Sequence, residues 1–161
     1  MNITPDVFSN TPVTVNGSYT KYQSDDSVRA GYNLTSLTVS QAHHLSSGRK
    51  LSPSLTIDLF EPNSGINAYK NVTPELQTAF RVFGYDIQAS ASLGLKEYRK
   101  KDIMFNKDRQ DISKALSLII PITTPNPFIK PLRVTIGYEH STSSVKFYDY
   151  SKVTLKFGAS S

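Results

Sequence analysis

The chain has no cysteine and no tryptophan in 161 residues. Without thiols, disulfides and thiolate metal sites are excluded. Glycine is limited to eight residues, and neither a G-x-G-x-x-G run nor a Gly-Lys-Ser/Thr phosphate loop occurs, so no nucleotide cofactor is expected. Charged residues make up 19%, too few for a coiled coil or a charged disordered tail. No apolar run approaches the ~18 residues of a membrane-spanning helix. The opening MNITPDVFSNTP lacks a basic stretch and an apolar stretch, so no secretory signal is expected there, and no membrane partner. Only three histidines are present, and no nucleophile elbow of the G-x-S-x-G type accompanies them. His43 and His44 are neighbours, and adjacent strand residues point to opposite faces, which makes a poor metal site. The expectation is a protein that is not an enzyme and carries no metal, no cofactor and no small-molecule substrate.

What is present favours strands. There are 21 serines, 14 threonines, nine tyrosines and eight phenylalanines, residues that suit a half-buried pleated surface. The length predicts one domain over 1–161, with 1–12 as an extended arm interrupted by Pro5 and Pro12. The net charge of +5 and a pI near 9.4 fit a polyanionic partner without requiring one.

Along the chain, Asn16-Gly17 reads as a tight turn between short strand arms, and 23–31 as a polar connection. Three strand candidates follow. Leu37 and Val39 alternate with Ser36, Thr38 and Ser40 in 33–41. Leu55, Ile57 and Leu59 alternate with Ser54, Thr56 and Asp58 in 54–61. Ile87, Ala89, Ala91 and Leu93 alternate with Gln88, Ser90 and Ser92 in 85–93. Period-two alternation predicts one sheet with an apolar face and a wet face. The segment 62–73 reads as a long loop, and 74–83 as a short helical turn or irregular lead-in. In 106–120 the apolar residues Ile112, Ala115, Leu116 and Ile119 have helix spacing, with Asn106 as N-cap, Asp108 in the first turn and Pro121 as the stop. After the proline-rich 123–131, two strands around the polar turn 140–144 form a C-terminal hairpin over 132–157. The expected class is therefore α+β. An antiparallel sheet carries one helix in the C-terminal half that packs across a dimer partner, plus the extra hairpin. Ile112, Leu116 and Ile119 are then candidate dimer-interface residues.

The basic residues Arg49, Lys50, Lys96, Arg99, Lys100 and Lys101 are candidate phosphate contacts. The hydroxyls and amides of the polar sheet face could meet ribose or base edges.

The segment LTSLTVSQAHHLSSGRKLSPSLTIDLFEP (34–62) resembles the central hairpin of coat proteins from single-stranded RNA bacteriophages of the levivirus-like group. Thr38-Val39-Ser40-Gln41, the basic pair Arg49-Lys50, and the strand ending at Pro62 are in the family's order. The strand at 85–93 and the stretch from Asp108-Arg109-Gln110 to Leu118-Ile119-Ile120-Pro121 follow. The resemblance implies an intertwined homodimer that self-assembles into an icosahedral capsid around genomic RNA, with an RNA hairpin docking as translational repressor. It places Ser36, Thr38, Ser40, Ser54, Thr56, Gln88 and Ser90 on the RNA-facing side, with the loop 62–73 at symmetry axes. Localisation would be the virion, assembled in the bacterial cytoplasm. An extracellular β-sandwich binding or adhesion module is the alternative, and a jelly-roll coat ranks lower because residues 1–12 carry no Lys or Arg.

Overall fold

A computed structural model of the chain describes residues 11–23, 31–45, 49–63, 68–82, 84–122 and 132–159. Of the expected arm 1–12, only Thr11 and Pro12 fall within them, and the whole of the proline-rich 123–131 lies outside them.

The described residues form one antiparallel sheet. Its strands are β1 (Val13–Tyr22), β2 (Tyr32–Gln41), the two-residue β3 (His43–His44), β4 (Lys50–Pro62), β5 (Tyr69–Val82), β6 (Tyr85–Tyr98), β7 (Gln110–Ile122), β8 (Leu132–Ser143) and β9 (Tyr150–Ala159). The order across the sheet is β1-β2-β4-β5-β6-β7-β8-β9, with β3 pairing off this path onto β4. Each long strand thus lies beside the next one in the chain, an up-and-down meander. A single 3-10 turn, Lys146–Tyr148, joins β8 to β9.

The expected α+β class is overturned, because among the described residues there is no α-helix. Residues 110–122 are strand β7, paired with β6 on one side and β8 on the other. The stretch satisfies two periods at once. Ile112, Leu116, Leu118 and Ile120 alternate with Ser113, Ala115, Ser117 and Ile119, and the flanking strands select that pattern over the helical one. Asn106, the expected helix cap, instead has φ 51° in the 99–109 connection. There Asp102 accepts the backbone N–H groups of Met104 and Phe105 through Oδ1 at 3.0 and 3.1 Å. The candidate interface residues therefore do not share a helix face. Ile112 and Leu116 stand on one face of the sheet and Ile119 on the other.

Asn16 and Gly17 are also not a turn. They lie inside β1, opposite Thr38 and Leu37 of β2. Running straight through keeps ten consecutive pairings, where a turn would leave two short arms. Residues 74–82 belong to β5 rather than a helical turn, and His140 lies within β8 rather than in a turn. Val82 pairs with Tyr85, and Gly84 between them takes φ 83°, a conformation that disfavours any side chain. The β5–β6 register skips Thr73 and Pro74, consistent with proline having no N–H to give the ladder.

Candidate functional site: two faces of one sheet

Register assigns every side chain to a face. The opposed series Leu37–Ile57–Val72–Leu95–Ile112 crosses one face. The series Leu76–Ala91–Leu116–Tyr138–Val153 crosses the same face nearer its other end. No described residue packs over them. Among the described residues the buried hydrophobics are Ala68 and Val145 alone, while Leu76 is 47% exposed, Leu116 60% and Leu155 59%. Covering a half-exposed leucine is worth roughly 1 kcal/mol, so a face built of such side chains would gain by being covered.

Charges on the apolar face gather toward one end, at Lys21, Glu61, Lys70, Glu97 and Lys114. On β5 and β6 the rest of that face is uncharged, and apolar except for Thr78. On β6, Tyr85 to Leu95 is about 33 Å of strand. On β5, Val72 to Val82 has the same length.

The opposite face is polar and the more sheltered of the two. Gly94 is buried and Ser90 and Ser92 are half-buried, while Leu93 and Leu95 beside them are exposed. The sheet therefore curls toward its polar side. Crowding there is direct: a Cβ added at Gly94 would lie 2.3 Å from Ser113 Oγ. The Ser36 hydroxyl donates to Asp58 at 2.6 Å, Thr38 and Thr56 bond at 2.9 Å, and Asn71 Nδ2 donates to Asp58 at 3.3 Å. Arg81 holds Asp86 through two hydrogen bonds at 2.9 and 3.1 Å.

The seven hydroxyl and amide candidates, Ser36, Thr38, Ser40, Ser54, Thr56, Gln88 and Ser90, do share this face. Lys50 joins them: it lines a depression of about 150 Å³ with Gln77, Gln88, Ser90 and Ser117. It also borders a second depression beside Thr38, Ser40, Ser54 and Thr56. The other basic candidates lie elsewhere. Lys50 is level with Gln88 through Ala79. Lys96 is eight residues further along β6, about 26 Å away, with Arg99, Lys100 and Lys101 beyond it. Arg49 precedes β4 at the Lys50 end. The structure therefore splits the expected phosphate contacts between the two ends of the sheet. Described strand residues on the polar face carry six basic side chains (Lys50, Arg81, Lys96, Arg133, Lys152, Lys156) against five acidic ones (Asp58, Glu75, Asp86, Asp111, Glu139). The face is nearly neutral.

One feature was not anticipated from sequence. At the Lys96 end of the polar face, Tyr22, Tyr32, Phe60, Tyr69 and Tyr98 form a row across five strands, with ring centroids 5.0–5.8 Å apart. Lys96 Nζ lies 4.5 Å from the Tyr69 ring centre. Arg109 sits 4.4 Å from the Tyr98 ring and 3.6 Å from the Tyr148 ring while donating to Asp111 at 2.8 Å. These residues are scattered in sequence, and only their shared strand parity could have revealed them. Burial, then the nearby Asp111 carboxylate, pushes the Tyr98 phenol up to about 12. Burial alone would raise Asp111, but hydrogen bonds from Arg109 and Ser143 outweigh it and hold the carboxyl below its ordinary value. Tyr148 donates to Asp102 at 2.7 Å, and Phe105 stacks near Phe147 at 5.7 Å. The 99–109 connection is thereby tied to the β8–β9 turn. Among the described residues no cluster of three metal-ligating side chains occurs.

No family model, curated protein or solved structure matches the chain.

Proposed function

We propose that the chain forms the wall of a bilayer-spanning β-barrel, with its apolar face against lipid and its polar face toward a hydrated interior. The observation that carries this is the bare apolar face of an eight-strand meander whose polar face is the sheltered one. Lipid-embedded sheets need apolar-out, polar-in alternation and strands of about 9–11 residues or more. The eight long strands here run from 10 to 14 residues. Tilted by about 35°, the apolar stretch on β6 spans about 27 Å, close to the ~25 Å band of such barrels. Among the described residues no helix is long and apolar enough to cross a membrane. That criterion, and the search for long apolar runs, address helices only. A strand crosses with every second residue apolar. Lys114 lies opposite Leu93, two residues inside the end of the apolar stretch on β6, where a lysine stem can run along hydrocarbon and bring its ammonium to the headgroups.

The test is folding into phosphatidylcholine vesicles, followed by flotation at alkaline pH and limited trypsin digestion. Retention with the vesicles and protection of β4–β8 are expected. A monodisperse protein in detergent-free buffer, with circular dichroism of ordered sheet and no vesicle binding, would overturn the proposal.

A second reading remains as a proposal, a shell-forming coat subunit around RNA. It is favoured by the gathering of Ser36, Thr38, Ser40, Ser54, Thr56, Gln88 and Ser90 on one face. In it, copies of the chain cover the apolar face. The near-neutral polar face and the separation of Lys50 from Lys96 offer weak purchase on a polyanion. Size-exclusion chromatography read at 260 and 280 nm separates the two: a void-volume peak dominated by nucleic acid would select the coat subunit.

A further inference from the structure

Among the described residues the meander leaves two free edges. Strands β1 and β9 end the sheet, and each is ten residues long. All described β1 residues are exposed on both faces. β1 has no proline, and no charge before Lys21. An unguarded edge of this kind invites pairing, and closure is the arrangement that removes it. Seven antiparallel steps separate β1 from β9, so the two edge strands are antiparallel to each other. They can therefore join as their neighbours do.

The strands are also staggered in the way closure requires. A line of directly opposed residues from Gly17, in the middle of β1, passes through Leu37, Ile57, Val72, Leu95 and Ile112 to Thr142. The last β8–β9 pair on that side is Ser141 with Tyr150, so the line leaves the sheet just beyond the start of β9. The centre of β9 is thus displaced from that of β1 by about six residues along the strand direction. Over eight strands spaced about 4.8 Å, six residues give a tilt of about 27°, and two more give about 35°, where barrel tilts begin. Eight strands make a barrel just wide enough to be filled by side chains, and the polar face is correspondingly lined with small ones: Gly94, Ser113, Ala115, Ser117 and Gly137.

We infer that β1 and β9 of the same chain pair with each other and close the sheet into an eight-stranded barrel. This rests on the bilayer reading, because closure turns the apolar face outward all round. A stagger of about eight residues sets Thr20 opposite Thr154 on the interior side, and staggers of about six or ten set Ser18 or Tyr22 there.

The chain has no cysteine, so introduced pairs report cleanly. Thr154→Cys is combined in turn with Ser18→Cys, Thr20→Cys and Tyr22→Cys. Each variant is folded into phosphatidylcholine vesicles and oxidised, then analysed by non-reducing electrophoresis and peptide mass spectrometry. Single-cysteine variants with the parental circular dichroism spectrum establish that the substitutions fold. An intramolecular disulfide in most chains is expected for one pair, foremost Thr20–Thr154, and the pair that forms reads the stagger. Disulfides between chains would overturn closure, since the edges then belong to an assembly of copies. Absence of any cross-link in all three would overturn it equally. Flotation of the same samples is read separately, so vesicle-bound protein without the internal disulfide refutes closure while leaving the bilayer reading standing.

Discussion

The two faces of this sheet obey opposite rules although they come from alternate residues of the same strands. On the polar face, small side chains crowd one another, bond across strands and are sheltered by curvature. On the apolar face, leucines and valines lie open and touch little beyond their own row. The difference shows where stability must come from. Among the described residues the polar face finds its partners within the sheet, whereas the apolar face does not.

Neighbouring substitutions on one strand break that comparison most sharply. Leu116→Arg puts a charge in the middle of the apolar face, and about 2–4 kcal/mol of membrane-inserted stability should be lost. Ser117→Asn, one residue along and on the polar face, should cost well under about 1 kcal/mol. Urea unfolding from vesicles measures both, and equal effects would dissolve the distinction between the faces. Next in size is Gly94→Val. A Cβ there forces the Ser113 hydroxyl to turn aside, and with the further bulk of valine a loss of about 1–3 kcal/mol is expected. Gly84→Ala should cost about 1 kcal/mol through its positive φ alone, with the strands on either side unchanged by circular dichroism.

The smallest effects are electrostatic and sharpen the picture of the polar face. Asp111 titrates below its unfolded value, so its contribution is present above the ordinary carboxylate range and lost as pH falls through the folded value. Arg109→Met should shift acid unfolding to higher pH. Tyr98 is pushed the other way, up to about 12. Its contribution is complete below the ordinary tyrosine range near 10 and is lost as pH rises toward 12. Absorbance at 295 nm should show two tyrosines ionising about two pH units late, Tyr98 and the Glu139-bonded Tyr150, and Tyr98→Phe should remove one of the two.

Much of the fold is legible in the residue pattern. The alternations at 33–41, 54–61 and 85–93 lie within β2, β4 and β6, and the last two strand candidates pair as β8 and β9, although the start of the second, 145–149, is the 3-10 turn and its flanks rather than strand. The seven hydroxyl and amide positions share a face because strand parity is a local property: once a segment is extended, every second side chain points the same way. Segments compatible with two local structures misled. Residues 110–122 suit a helix or a strand, and Asn16-Gly17 suits a turn or a continuous strand. Each was decided by its neighbours, β6 and β8 in one case and β2 in the other.

Composition and periodicity by themselves determined that this chain makes strands with one wet and one dry side, without thiol chemistry. Only the tertiary structure decided that, among the described residues, no helix covers the dry side. It also set Lys50 and Lys96 at opposite ends and gathered five aromatic rings from five strands into one row. The reason is physical. Face and period depend on bonds between near neighbours in sequence, whereas ends, rows and coverings depend on register between strands, which pairing across the sheet alone sets.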